Sequence, residues 1–162
     1  MTILVTGVNH KTAPVEVRER LAFDAAFLPR ALSELRKEGI SEGLILSTCN
    51  RVEVAVAAED GYNPQPAVDA FLSRSRNVPV ETFSPHLYHH RDEAAIHHIF
   101  RVAASLDSLV VGEPQILGQL KQAYATAKAH GALAGYLDTI LTRAFSVAKR
   151  VRSETGIGES AV

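Results

Sequence analysis

The alternation of strand-like and helix-like segments over residues 1–90 is the feature that most constrains how this chain can fold. Segments rich in apolar and β-branched residues predict four strands, at residues 3–10, 44–48, 52–57 and 86–90. Apolar residues at helical spacing predict a helical stretch at 15–38 and a second helix at 67–75. We expect Pro29 to divide the longer stretch, because an interior proline removes a helix hydrogen bond.

These elements follow one another in the order β-α-β-β-α-β, which is that of the split βαβ, or ferredoxin-like, unit. The third strand alternates Val52, Val54 and Val56 with Glu53 and Ala55. Such alternation is typical of a sheet with one buried face and one solvated face. We therefore predict a half-buried sheet for this part of the chain.

From residue 91 onward the pattern becomes helical. Asp92 is placed to cap the first helix of this part, and the run Gly112-Glu113-Pro114 starts the next helix, which Gly131 ends. We predict an α+β fold in which a ferredoxin-like part, residues 1–90, is followed by a helical part, residues 91–162.

Composition excludes several classes of protein. The 162 residues are 46% apolar and carry a net charge of -1, so the chain has enough apolar side chains for a core and is not a basic nucleic-acid coat or a membrane-surface binder. No apolar stretch approaches the roughly 20 residues that span a bilayer. Its first residues lack a charged leader before an apolar core, and the chain has a single cysteine, so we expect a soluble protein of a reducing cytoplasm.

The single cysteine, Cys49, lies in the run Ser47-Thr48-Cys49-Asn50-Arg51, at the tip of a predicted hairpin. A thiol becomes a useful nucleophile where neighbouring positive charge favours the thiolate, and Arg51 supplies such a charge. The alternative is a small apolar side chain kept for packing. The residues alone leave both interpretations open.

Several segments of the chain together resemble the catalytic domain of glutamyl-tRNA reductases. They are residues 7–15, 47–53, 98–103, 106–121 and 149–155. The segment LDSLVVGEPQILGQLK at 106–121 is similar to a long signature of that family. Chance agreement over ordered motifs of this length is negligible, whereas Thr-Cys-Asn-Arg alone would be weak.

The resemblance implies a reaction. Members of this family use NADPH to reduce the activated carboxyl of glutamyl-tRNA to glutamate-1-semialdehyde, in tetrapyrrole (porphyrin) biosynthesis. By this resemblance Cys49 attacks the aminoacyl ester, expels the tRNA 3′ end and forms a glutamyl thioester that hydride then reduces.

The cofactor and the partners follow from the same resemblance. No Gly-x-Gly-x-x-Gly follows a strand anywhere in the sequence, so we expect NADPH to bind in a domain that is absent from this chain, as is the dimerisation domain. The isolated domain is then expected to lack the reduction step and to hydrolyse glutamyl-tRNA slowly. For the full-length enzyme the resemblance implies a homodimer and glutamate-1-semialdehyde aminomutase as a possible partner.

Nine residues carry over from the family as candidate site residues. Cys49 and His98 are the catalytic ones, and the substrate-binding ones are Thr48, Asn50, Arg51, Ser108, Glu113, Gln115 and Gln119. His98 can polarise the ester carbonyl, protonate the leaving ribose oxygen or assist the thiol, and the sequence does not separate these roles.

Structural alternatives stand beside these assignments. Arg51 can pair the glutamate carboxylate or favour the thiolate, but it can equally form a structural ion pair with Glu53. Gln115 and Gln119 are one helical turn apart and can face one ligand, or they can belong to a solvated polar face.

Other polar residues also allow two interpretations. The segment containing Asn9, His10 and Thr12 resembles a family element near the site, but its side chains can equally cap a turn. A basic helix face can meet tRNA phosphates or be simply solvated; it consists of Arg143, Lys149, Arg150 and Arg152.

No metal is predicted, because the histidines between residues 86 and 98 include no helical i, i+4 pair that would start a tetrahedral site. Two further classes of function remain open at this point. One is a non-catalytic module that binds aminoacyl-tRNA or a partner protein, and the other is a redox- or haem-responsive regulatory domain that uses Cys49 and the histidines.

Overall fold

The computed structural model describes residues 1–37, 39–106 and 115–155. The strands are β1 (Thr2–Asn9), β2 (Glu42–Ser47), β3 (Arg51–Ala58) and β4 (Tyr88–Arg91). The helices are α1 (Val15–Leu21), α2 (Leu28–Arg36), α3 (Gln65–Arg76), α4 (Val80–Phe83), α5 (Asp92–Ala103), α6 (Gln115–Ala129) and α7 (Tyr136–Thr155). Short 3-10 turns lie at Ala25–Phe27 and Ser84–His86.

The four strands form one sheet in the order β2-β3-β1-β4, and all three neighbouring pairs are antiparallel. Both central strands, β1 and β3, therefore have a partner on each side. This confirms the predicted α+β fold with a ferredoxin-like sheet followed by helices. Whether residues 1–90 and 91–162 act as separate parts stays a prediction.

Both faces of the sheet are covered, so the expectation of a half-buried sheet is wrong. All eight residues of β3 are buried. Helices α5, α6 and α7 cover the face that carries Val5 and Ala55, and α3 lies on the opposite face, where its Asp69 pairs with His89 of β4. The alternating pattern of β3 misleads because the helices of the second half bury Glu53 together with its apolar neighbours.

Two local expectations about helix ends also need correction. The break in the first helical stretch falls between α1 and α2, before Pro29, which lies in the first turn of α2, where its missing N–H is not needed. Asp92 does not cap α5 with its side chain; it is the first residue of the helix, and its carboxylate accepts the N–H of Ile3 at 3.1 Å.

The predicted start of a helix at Gly112-Glu113-Pro114 lies outside the described residues. The predicted end of that helix is confirmed, because α6 stops at Ala129 and Gly131 adopts φ +68°.

A buried carboxylate joins the sheet to the last helix. Glu42, the first residue of β2, is 5% exposed, and its two oxygens accept the backbone N–H groups of Ala134, Gly135, Leu137 and Asp138 at 2.9–3.2 Å. These are the N–H groups at the start of α7, where a helix leaves its donors unpaired and favours negative charge. Glu42 therefore fixes the start of α7 against the strand that leads to Cys49.

Candidate active site at the hairpin end of the sheet

The hairpin between β2 and β3 places Cys49 at its exposed tip. The turn is closed by Thr48, whose N–H donates to the carbonyl of Arg51 at 2.8 Å. The hydroxyl oxygen of Thr48 accepts the N–H groups of Asn50 and Arg51, each at 3.1 Å. The sequence thus folds locally around Thr48, which holds Cys49 outward in a fixed turn.

A second positive side chain reaches the hairpin from α1. The Nε of Arg18 lies 3.4 Å from the carbonyl oxygen of Cys49, and its Nη1 donates to the carbonyl of Ala13 at 2.7 Å. Arg18 therefore places a guanidinium group beside the cysteine backbone. Sequence analysis assigned no role to Arg18.

The loop after β1 lies at the same end of the sheet, because Asn9 pairs with Arg51 in the strand register. The Asn9 carboxamide oxygen accepts the N–H groups of Lys11 and Thr12 at 2.9 and 3.2 Å, and the Thr12 hydroxyl accepts the N–H of Asn9 at 3.0 Å. Nδ1 of His86 lies 3.0 Å from the Thr12 carbonyl oxygen. The turn-capping alternative is therefore confirmed for Asn9 and Thr12.

A buried polar cluster lies beside the hairpin, where β3 begins. Arg51, Glu53 and His98 are 1%, 6% and 8% exposed. Nη1 of Arg51 donates to Oε2 of Glu53 at 3.0 Å, and Nε2 of His98 lies 2.6 Å from the same oxygen. The hydroxyl of Tyr88 donates to this oxygen as well. Three polar side chains thus converge on one carboxylate oxygen.

Strand register explains why these residues meet. Residues alternate between the faces of a strand, so Arg51 and Glu53 share the face that α5 covers. Gly7 of β1 lies between Glu53 of β3 and Tyr88 of β4, its partners in the two neighbouring strands. A Cβ atom on Gly7 would come within 2.8 Å of the Glu53 Cγ, so the lack of a side chain there makes room for the carboxylate.

Aromatic rings enclose the histidine of this cluster. The ring of His98 stacks on that of His90, with centroids 4.5 Å apart and planes at 27°. Tyr88 lies against both histidines, with centroid distances of 5.2 and 5.5 Å. His98 is therefore held by ring packing as well as by its hydrogen bond to Glu53.

Opposing effects set the charge state of Glu53. Burial acts to raise its pKa, but the hydrogen bond and the charge of His98, the charge of Arg51 and the hydrogen bond from Tyr88 outweigh it. Together they lower the pKa of Glu53 from 4.5 to about 2. Glu53 is therefore an anion at neutral pH, which matches its position as the acceptor of hydrogen bonds from Arg51 and Tyr88.

The structure brings Arg51 and His98 of the predicted site together through Glu53, and it shows the ion pair that the sequence allowed for Arg51. Contact of Thr48, Asn50 or Arg51 with a substrate stays a prediction. Sequence analysis named Glu53 only as a possible ion-pair partner of Arg51 and did not connect it with His98; it missed Tyr88. The signal for Glu53 was that it lies two residues from Arg51, the spacing that shares a strand face.

Gln119 lies in a cleft beside the hairpin strand. The cleft has a volume of about 180 Å³, and its lining includes Ser47 of β2, Phe23, and Gln119 and Gln122 of α6. Gln115 is exposed one turn earlier on α6. Ser108 and Glu113, the other two predicted substrate contacts of this part of the chain, lie outside the described residues.

The described parts of the chain, 1–37, 39–106 and 115–155, contain no group of three His, Cys, Asp or Glu side chains that could hold a metal. Within the same ranges no helix is both long and apolar enough to cross a membrane. On α7, Arg143, Lys149 and Arg150 are exposed, whereas Arg152 is half-buried.

Comparison with known proteins agrees over nearly the whole chain. The family model described as "Glutamyl-tRNAGlu reductase, N-terminal domain" matches residues 6–155. A glutamyl-tRNA reductase of Solibacter usitatus (strain Ellin6076) is 64% identical over 163 residues, which cover 100% of this chain and 39% of that protein. "Glutamyl-tRNA reductase 2" of Koribacter versatilis (strain Ellin345) is 53% identical, with 100% of this chain and 37% of that protein covered.

A solved structure is also similar. The glutamyl-tRNA reductase from Methanopyrus kandleri superposes with a TM-score of 0.76 at 32% identity, over 99% of this chain and 36% of that one. The chain thus spans less than two fifths of the length of these relatives. The family match and the identities over the full chain lead to one conclusion: this chain belongs to the family of glutamyl-tRNA reductase N-terminal domains.

Proposed function

We propose that this chain carries out the acyl-transfer half of glutamyl-tRNA reduction, with Cys49 as the nucleophile. The observation that carries the proposal is the placement of Cys49, which is exposed at the tip of a hairpin that Thr48 and Arg51 close by two hydrogen bonds. A thiol in such a position is accessible to a large substrate. The name of the family supplies the substrate, glutamyl-tRNA.

In the proposed step, Sγ of Cys49 attacks the carbonyl carbon of the aminoacyl ester. The S–C bond of a glutamyl thioester forms, the C–O bond to the terminal ribose breaks, and the thiol proton ends on the leaving ribose oxygen. The guanidinium of Arg18 places positive charge beside the cysteine backbone. His98 moves the proton in this step.

The glutamyl group is proposed to be recognised by the polar residues around the hairpin. Gln119 lines the cleft beside Ser47, and Gln115 shares its helix face one turn away. Asn50, Ser108 and Glu113 complete the proposed contacts, together with Thr48 and Arg51. The exposed Arg143, Lys149 and Arg150 of α7 are the proposed contacts for tRNA phosphates.

The described residues of this chain do not fit NADPH. Dinucleotide sites use a glycine-rich turn between a parallel strand and a helix, whereas every strand pair of this sheet is antiparallel and the sequence holds no Gly-x-Gly-x-x-Gly. Reduction of the thioester to glutamate-1-semialdehyde, homodimer formation and contact with the aminomutase are proposed for the longer enzymes. A cytoplasmic location is also proposed, since the single cysteine cannot form an internal disulfide, as expected of a reducing compartment.

Hydrolysis of glutamyl-tRNA tests the proposal, because water slowly cleaves a thioester that nothing reduces. We expect the chain to release labelled glutamate from glutamyl-tRNA, and Cys49→Ser to lower that rate by about 100-fold or more while tRNA binding persists. Asp60→Asn serves as a control that keeps the thiol and changes only an exposed charge beyond the far end of β3. Release that continues undiminished in Cys49→Ser would contradict a nucleophilic role and leave a binding module.

A further inference from the structure

We infer that Glu53 is a positioning residue that holds a hydrogen on Nε2 of His98, so that Nδ1 is the ring nitrogen that exchanges a proton with the reacting groups. The inference rests on the proposed function and deepens it. It assigns a role to Glu53, which is not among the nine candidate site residues.

The geometry of the carboxylate carries the first step. Oε2 of Glu53 accepts hydrogen bonds from Nη1 of Arg51, at 3.0 Å, and from the hydroxyl of Tyr88. Nε2 of His98 lies 2.6 Å from the same oxygen. A guanidinium group can only donate, and an oxygen that accepts several donors has no room for a proton of its own. Nε2 of His98 must then carry the hydrogen of its short bond to Glu53. The low pKa of Glu53 agrees with an ionised acceptor.

Packing holds the imidazole ring in this orientation. A 180° flip about the Cβ–Cγ bond would put a ring carbon in the place of Nε2 and break the bond to Glu53. His98 is 8% exposed, and its ring lies between His90, stacked at 4.5 Å, and Tyr88 at 5.5 Å. Losing a hydrogen bond to a buried carboxylate is unfavourable, which disfavours the flipped ring.

For the chemistry, this means that Nε2 of His98 is occupied by its hydrogen bond to Glu53 and only Nδ1 is available to exchange a proton. Neutral His98 with its hydrogen on Nε2 has its lone pair on Nδ1, which accepts the proton that the Cys49 thiol gives up. The imidazolium that forms lies against the Glu53 anion, which stabilises it. Nδ1 then passes the proton to the ribose oxygen as the C–O bond breaks, and the other hydrogen stays on Nε2, where it donates to the Glu53 carboxylate throughout.

Nitrogen-15 NMR of the histidine side chains tests the inference on the unaltered chain. The seven histidines are labelled, and the His98 signals are assigned by comparison with His98→Gln. At a pH where the ring is neutral, we expect the signature of a protonated Nε2 and an unprotonated Nδ1. The opposite tautomer would overturn the inference, and this measurement does not depend on the folding of any Glu53 variant.

Kinetics supply a second readout that packing alone would not give. We expect Glu53→Gln to slow formation of the Cys49 glutamyl adduct by about 100-fold, the size of an acid–base effect, with glutamyl-tRNA affinity changed by less than about threefold. Asp69→Asn is the matched control, because Asp69 pairs with His89 at 3.1 Å on the other face of the sheet. It should keep the wild-type rate.

The outcomes separate the two proposals. A Glu53→Gln chain that forms the adduct at the wild-type rate, or an equal loss in Asp69→Asn, would overturn the role of Glu53 while leaving Cys49 as the nucleophile. Failure of the proposed function would instead appear as an absence of adduct in the wild-type chain, whatever tautomer His98 has.

Discussion

Nη1 of Arg51 lies 3.0 Å from Oε2 of Glu53, and these two residues are only 1% and 6% exposed. Removing one partner of such a buried pair leaves an uncompensated charge inside the protein, which typically costs about 3 to 5 kcal/mol. The first residue of β3 is thereby tied to the interior, directly after the turn that presents Cys49. The position of the hairpin and the stability of the core are therefore linked.

This pair predicts how stability depends on pH. The pKa of Glu53 is lowered from 4.5 to about 2 in the fold, so its contribution is complete above pH 4.5 and is lost as the pH falls towards 2. We expect the free energy of unfolding of Glu53→Gln to be about 3 to 5 kcal/mol lower than that of the wild type at pH 7. This difference should shrink between pH 4.5 and 2. Urea unfolding at several pH values measures this, and a gap that stays constant with pH would contradict it.

A second prediction concerns Gly7, whose lack of a side chain leaves space for the Glu53 carboxylate. A Cβ at Gly7 would lie 2.5 Å from the carbonyl oxygen of Val52 and 2.8 Å from Cγ of Glu53, so Gly7→Ala should cost about 1 to 3 kcal/mol and disturb the Glu53 hydrogen bonds. Gly118→Ala is the control, because open space surrounds that helical position and alanine should stabilise α6 by up to about 1 kcal/mol. Thermal unfolding of both variants compares them, and equal melting temperatures would count against the tight contact.

A third prediction concerns the joint between β2 and α7. Glu42→Gln replaces one accepting oxygen by an amide that donates towards the helix N–H groups, so we expect a loss of about 1 to 3 kcal/mol in unfolding free energy. Asp60→Asn is the matched control, since Asp60 is 82% exposed in its pair with the amino terminus and should change stability by less than about 0.5 kcal/mol. Chemical unfolding should separate the two variants, and an unaffected Glu42→Gln chain would show that the cap contributes nothing.

The turn at Thr48 gives a fourth prediction. Thr48→Val keeps the shape of the side chain but removes the oxygen that accepts the N–H groups of Asn50 and Arg51. The rate of Cys49 adduct formation should fall by about 10-fold or more, because small displacements of a reacting group are costly. Thr48→Ser keeps the acceptor and should react within about threefold of the wild type. Quench-flow measurement of the adduct distinguishes them, and equal rates in Val and Ser would refute a positioning role.

Local patterns were enough to predict the order of the sheet elements and the hairpin at Cys49. The signals for these elements are local. Strand periodicity, Gly131 and the polar run around Cys49 each involve only a few neighbouring residues. The same is true of the one-turn spacing of Gln115 and Gln119, both of which α6 contains.

Long-range contacts explain what local patterns could not predict. Glu53 reads as the solvated position of an alternating strand, yet His98, 45 residues away, buries it once α5 packs on the sheet. Asp92 reads as a helix cap, but its carboxylate meets Ile3, 89 residues away. In both cases the partner is fixed by strand register and helix packing, which short windows of sequence do not specify.

Mass spectrometry of the acid-quenched chain after mixing with glutamyl-tRNA is the most direct test of the central claim, that Cys49 forms a thioester. The account predicts a glutamyl adduct on the peptide that contains Cys49, absent from Cys49→Ser and removed by hydroxylamine, which cleaves thioesters. A chain that binds glutamyl-tRNA and hydrolyses it without any adduct at Cys49 would contradict the account.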